Sequence, residues 1–399
     1  MGGLPAVKGR KGSDAMKTSA ERAAFLLIRN ADVCAPEEIG LRDLLICGER
    51  IAVIGEHLSY DFPDMQVLDV QGKKLVPGFL DQHVHITGGG GESSFRSRIR
   101  EIDVADILES GVTTVVGLLG TDGLSRSIEN LVAKTKALNE EGITARCLTG
   151  SYALPSVTLT GSVARDIAFV QEVIGVKVAI TDHRSSMPTR QELSRLASQV
   201  RVASMLSGKA GILCMHTGTG KAGLSDIMAV VEESDLPIRH FRPTHVGHLL
   251  DDAVQFANMG GMIDFTSGSD PQKTAEQIRW ALERAPLEQM TLSSDSNGSA
   301  PVWNEKRELI GMGVGKMDTL WETVRTLIVG GLAASEALKL ITENVARGLE
   351  LYPVKGHIAP GADADLVVLD SDWSVDTVIA RGRCRVRDRR VLEAGYYTY

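Results

Sequence analysis

Between residue 76 and about residue 350, short apolar runs alternate with amphipathic stretches. The strand-like runs are 76–85, 113–119, 144–149, 174–180, 211–216, 241–245, 261–266 and 290–295. Between them, stretches such as 125–141, 189–206, 224–233 and 273–284 carry apolar residues at helical spacing. Eight strands alternating with helices is the count of a closed TIM-like (β/α)8 barrel, which can absorb most of a 399-residue chain. A doubly wound open sheet is the rival. Gly218-Thr219-Gly220-Lys221-Ala222-Gly223 fits its glycine fingerprint, after a strand and before a helix. That fingerprint also wants an acid ending the next strand, whereas Glu232, Glu233 and Asp235 come straight off the helix. The glycines are read as a flexible barrel loop.

The flanks differ in character. Residues 23–75 hold β-like runs separated by turn residues, and after a helical region at 321–351 the chain returns to alternating or apolar runs at 364–369 and 375–381. The expected organisation is therefore a barrel over 76–351 and one composite β-sandwich from 23–75 and 352–399. Residues 1–22 are polar, lack an apolar signal-type core, and are expected to be a disordered extension. A net charge of −8 speaks against nucleic-acid binding, and no apolar run reaches membrane-spanning length. Five scattered cysteines without a Cys-x-x-Cys pair suit a reducing cytoplasm.

Function in such barrels sits at the carboxyl ends of the strands. His83 and His85 end the first barrel run two residues apart, so both point the same way, and Gly88 to Gly91 with Glu92 follow as a mobile glycine loop ending in a carboxylate. His216, His245 and Asp295 end three further runs. Four histidines and an aspartate on one rim are the makings of a metal site. His57, His240 and His357 read as ordinary surface or turn residues. Lys177 stands inside the otherwise apolar run 174–180. A buried amine favours its neutral form, can add carbon dioxide, and as a carbamate could bridge two metal ions.

The run Pro77-Gly78-Phe79-Leu80-Asp81-Gln82-His83-Val84-His85 and the C-terminal run Gly356–Val367 resemble those of the amidohydrolase superfamily, from about residue 23 to the end. Further runs resemble its isoaspartyl (β-aspartyl) dipeptidase family: His85–Glu92, Val115–Asp122, Gly175-Val176-Lys177, Asp182-His183-Arg184, Thr291–Asp295 and Asn297-Gly298-Ser299. The resemblance implies a hydrolase of β-aspartyl dipeptides with two zinc ions: His83, His85 and Asp295 on one, His216 and His245 on the other, with carbamylated Lys177 and a hydroxide bridging them. It further implies that Asp295 shuttles the proton and that Tyr152 steadies the oxyanion. Glu92 would hold the substrate's α-amino group and Arg184 a carboxylate, with Gly90, Thr121 and Ser299 as further contacts. A large homo-oligomer is also implied.

One position departs from the family pattern. His248 stands where an arginine sharing the carboxylate grip is expected, and the segment 267–271 is shortened, so substrate identity stays open. The alternatives are an N-acyl-amino-acid deacylase, a cyclic-amide hydrolase, or a non-catalytic scaffold relative.

Overall fold

The computed structural model describes residues 24–303 and 309–392, so the expected 1–22 extension lies outside the described residues. Strands β1 (Phe25–Cys34), β2 (Glu38–Cys47), β3 (Arg50–Gly55), β4 (Gln66–Asp69) and β5 (Lys74–Pro77) come first. Then follow β6 (Phe79–Val84), β7 (Val112–Gly117), β8 (Thr144–Gly150), β9 (Val173–Ile180), β10 (Ile212–Thr217), β11 (Phe241–Thr244), β12 (Ile263–Thr266) and β13 (Met290–Ser293). These last eight form one parallel sheet in sequence order. Its ends meet where the His85 amide donates to the Ser296 carbonyl at 2.9 Å, so the sheet curls into a nearly closed barrel.

Helices α1 (Val104–Glu109), α2 (Ile128–Glu140), α3 (Val163–Phe169), α4 (Arg190–Ser207), α5 (Ser225–Glu233), α6 (Leu250–Asn258) and α7 (Pro271–Leu282) follow successive barrel strands. Their starts carry local signals. Thr189 and Glu192 form a reciprocal capping box on α4, and Asp270 caps α7 with Pro271 in its first turn. All eight residues of β9 are buried, as a parallel strand covered on both faces requires. A hairpin of β14 (Ser299–Trp303) and β15 (Leu309–Val314) separates the last barrel strand from α8 (Asp318–Val329), α9 (Ala334–Lys339) and α10 (Glu343–Gly348).

The chain then adds β16 (Leu366–Leu369), β17 (Val375–Ala380), β18 (Arg383–Arg387) and β19 (Arg390–Val391) to β1–β5 in one nine-stranded sheet with its own apolar core. Both chain ends thus build one sandwich-like unit.

The first barrel run needs a correction. The expected single strand over 76–85 is two strands in two sheets. Val76 pairs with Val367 of β16 in the outer sheet, and Phe79 with Val112 of the barrel. Gly78 is the break: its amide donates to the Asp365 carbonyl at 2.7 Å, and a Cβ there would collide with the Thr113 side chain. The Gly218–Gly223 segment is a loop, as expected, but one packed down on its neighbour. The Gly220 amide donates to the Thr181 carbonyl at 2.7 Å. His240 is also not a surface residue; it is buried, with Nδ1 2.7 Å from the Gly211 carbonyl.

Candidate active site

The barrel strands end on one rim, and the polar side chains gather there. His83 is the fifth residue of β6 and His85 follows its end. Two others sit where strands break off into left-handed backbone: His245 just past β11 (φ 64°) and Asp295 just past β13 (φ 55°). For residues with a Cβ that conformation is strained, and it turns both side chains inward from the rim. Asp295 Oδ1 lies 3.1 Å from His85 Nε2 and 3.3 Å from His83 Nε2. His83 and His245 face each other with ring centroids 4.8 Å apart. Lys177, fully buried, brings Nζ to 3.3 Å from His83 Nε2.

Burial lowers the pKa of His83 and His245 well below the usual histidine value, so both imidazoles are neutral. Burial opposes ionisation of Asp295, but the imidazoles of His245, His85 and His83 outweigh it and hold the carboxylate low. Ligand atoms of His83, His245 and Asp295 lie within 4.8 Å of one another. Hydroxyls orient the two rings from behind: Thr266 Oγ1 is 2.7 Å from His245 Nδ1, and Thr244 Oγ1 is 3.3 Å from His83 Nδ1. Among the described residues, the buried His245 Nε2 has no hydrogen-bond partner. Neutral imidazoles with a free nitrogen beside an ionised carboxylate are a donor set suited to a divalent metal ion.

His216 stands beside this trio, its ring centroid 4.6 Å from that of His245. Its nitrogens are engaged elsewhere, however. Nδ1 meets Tyr152 Oη at 2.7 Å, and Nε2 meets Asp182 Oδ2 at 3.0 Å. Burial depresses its pKa to about 4. Burial raises that of Tyr152 well above the usual value, which keeps the phenol protonated and able to donate. Outward of Tyr152, Glu92 Oε1 accepts from Ser299 Oγ at 2.9 Å and Thr121 Oγ1 at 3.4 Å, with Arg184 Nη1 at 3.6 Å. Gly90, Glu92, Thr121, Tyr152, Arg184, His216, Asp295 and Ser299 line one cleft. Glu92 and Ser299 also border a broader opening of about 930 Å³ toward the β14–β15 hairpin.

A family model for the amidohydrolase family matches residues 75–385. The chain belongs to the amidohydrolase family. Among solved structures this amidohydrolase is similar to the β-aspartyl dipeptidase of thermophilic, keratin-degrading Fervidobacterium islandicum AW-1 in complex with β-Asp-Leu dipeptide. The two share 41% identity and a TM-score of 0.87 over 94% of this chain and 100% of that one. A second structure of that enzyme gives 39% identity and a TM-score of 0.85 over the same shares. Among curated relatives, imidazolonepropionase of Colwellia psychrerythraea is 22% identical over 85% of this chain and 86% of its own.

Of the residues expected at the amidohydrolase site, the structure gathers His83, His85, Lys177, His245 and Asp295 into one cluster, with His216 and Tyr152 against it. The metal-capable trio draws on both of the ligand sets expected for separate ions. His248 is not brought to the cleft; its Nε2 lies 3.0 Å from the Gly218 carbonyl. The Gly88–Gly91 loop is not the mobile element expected. Gly88 to Gly90 are buried, and the backbone at Gly88 (φ 82°) and Gly90 (φ 78°) presses against residues 97–100. Asp182 had no role assigned from sequence, yet it accepts from Arg184 and faces His216. Its position just past the end of β9, on the same rim as the histidines, was the available signal.

Proposed function

We propose that this amidohydrolase is a zinc-dependent dipeptidase that cleaves the isopeptide bond of β-aspartyl dipeptides. The observation that carries this reading is the pairing of Glu92 with Arg184 across a cleft whose floor is lined by Asp295, His85 and His216. A carboxylate and a guanidinium at that spacing match the amine and carboxylate of a small zwitterion. The 41% identity to a β-aspartyl dipeptidase supports the same substrate class.

In this reading His83, His85, His245, Asp295 and a carbamylated Lys177 would hold two zinc ions, and His216 would join them once a ring nitrogen is released from Tyr152 or Asp182. Bound there, zinc would polarise the scissile carbonyl and make hydroxide available from water near neutral pH. Asp295, held ionised, accepts the nucleophile's proton and returns it to the leaving amine. The Tyr152 phenol donates to the oxygen on which charge develops. Glu92, with Ser299 and Thr121 fixing its carboxylate, binds the substrate's free α-amino group. Arg184 binds its carboxylate.

The enzyme is further read as a cytoplasmic homo-oligomer. All five cysteines are free, and among the described residues no helix is long and apolar enough to cross a membrane. Val202, Met205 and Leu206 on α4 and Phe169 on α3 expose an apolar face of the kind that subunits cover.

The test is a panel of β-aspartyl, α-aspartyl, γ-glutamyl and N-acetyl-aspartyl dipeptides assayed with zinc present. Hydrolysis confined to the β-aspartyl members is expected. Preference for the acetylated substrate would overturn the reading in favour of a deacylase.

A further inference from the structure

The glycine loop that carries Glu92 is gripped by a side chain with no part in the chemistry above. Arg126 lies between β7 and α2, buried to 9% exposure, and its guanidinium donates to three main-chain carbonyls. Nη1 reaches Thr87, while Nη2 reaches Gly89 and Ile99, both at 2.9 Å. Thr87 and Gly89 belong to the limb leaving β6, and Ile99 to the limb that returns beneath it. The two limbs are joined directly by the Ile99 amide donating to the Gly89 carbonyl at 3.1 Å. Asn297 holds the same loop from the far side. Its carbonyl accepts from the Gly89 amide at 2.8 Å, and its Nδ2 donates to the carbonyls of His85 and Arg100 at 3.0 and 2.8 Å.

Burying a guanidinium is costly unless its donors are matched, and main-chain carbonyls carry no charge to offset it. An arginine used this way fixes backbone: Nη2 joins the two limbs, and the second arm of the planar fork adds the Thr87 carbonyl. The loop it fixes carries Glu92 between its two limbs.

We propose that Arg126 is a positioning residue that acts through Glu92: by pinning both limbs of the 87–99 loop it sets the amine-binding carboxylate over the cleft. The link to amine binding rests on the dipeptidase reading, whereas the pinning of the loop does not.

Two measurements on the full chain test this. In zinc-free protein, amide hydrogen exchange at Gly89 and Ile99 should speed up by about tenfold or more in Arg126→Met and Arg126→Lys. Arg126→Lys keeps the charge and most of the bulk, and it decides the matter if Arg126→Met does not fold. In the zinc-loaded enzyme, Arg126→Lys should raise KM for a β-aspartyl dipeptide by roughly tenfold while kcat moves less than about threefold. Added to Glu92→Gln, the same substitution should raise KM by less than about threefold, because the residue it acts through is already disabled. Unchanged exchange, or fully additive effects on KM, overturns the proposal. A parent enzyme without β-aspartyl dipeptidase activity would refute the functional reading alone, and the exchange rates would still decide whether Arg126 pins the loop.

Discussion

Arg184 meets Asp182 through two parallel hydrogen bonds, Nε to Oδ1 at 3.0 Å and Nη2 to Oδ2 at 2.9 Å. Burial works to raise the pKa of Asp182, but bonds from His216 and Arg184 prevail and hold it far below the usual carboxylate range. Arg184 is in turn held firmly protonated by Asp182. The pair presents Nη1 to the cleft in one fixed orientation. Charge-assisted bonds of this kind contribute roughly 1.5–3 kcal/mol. Asp182→Asn should therefore raise KM for a β-aspartyl dipeptide by about tenfold or more. Steady-state kinetics check this, and a KM within about twofold of the parent would remove Asp182 from the binding apparatus.

Lys177 is buried beside His83, with Cys214 Sγ at 3.6 Å and the Tyr152 ring centroid at 6.0 Å from its Nζ. If its carbamate bridges two ions, Lys177→Ala should bind less zinc, and a short carboxylic acid added with zinc should restore part of the loss. Elemental analysis after dialysis reads both effects. Full zinc content in the variant would make the lysine structural.

His248 offers the opposite expectation from the one its position in the family pattern suggests. With Nε2 on the Gly218 carbonyl, it braces the loop after β10 and is not among the residues that line the cleft. His248→Ala should leave KM within about threefold of the parent across pH 6.5 to 9. A KM that climbs with pH in the parent, and flattens in His248→Arg, would instead place the imidazole on the substrate.

His240 gives a pH signature separate from catalysis. Burial lowers its pKa, and its Nδ1 meets the Gly211 carbonyl. The unfolded chain takes up a proton near pH 6.5 that the folded chain resists. The unfolded state then binds more protons, so this residue makes the fold less stable as pH falls below about 6.5. His240→Asn keeps a donor toward Gly211 and removes the titration. Whatever its offset at pH 7.5, its Tm relative to the parent should rise between pH 7 and 5. A pH-independent difference would contradict the assignment.

The barrel was legible because parallel strands covered on both faces read as continuous apolar runs, and β9 stands out through the single lysine within it. The gathering of polar residues on the rim was legible because strand ends can be counted. The break at Gly78 was not, since Val76-Pro77 and Phe79-Leu80 form one apolar run in sequence although they enter different sheets. Four consecutive glycines suggested freedom, yet three of them have positive φ and two of those lie tight against the returning limb. The parts played by Thr244, Thr266, Arg126 and Asn297 depend on which loops the barrel brings together, and no spacing in the sequence encodes that.

The seam at Gly78 also bears on the order in which the molecule is made. β5 has β1 on one side from early in synthesis, but its other edge is covered only by β16. The Gly78 amide waits for the Asp365 carbonyl, and the Leu80 amide for that of Ile341. His83 in β6 and His85 just past its end are made long before the segments that anchor that strand. Strand β6 is anchored in full only once residues 341 and 365 have been made, so the rim cluster depends on segments that lie well beyond the barrel's own last strand.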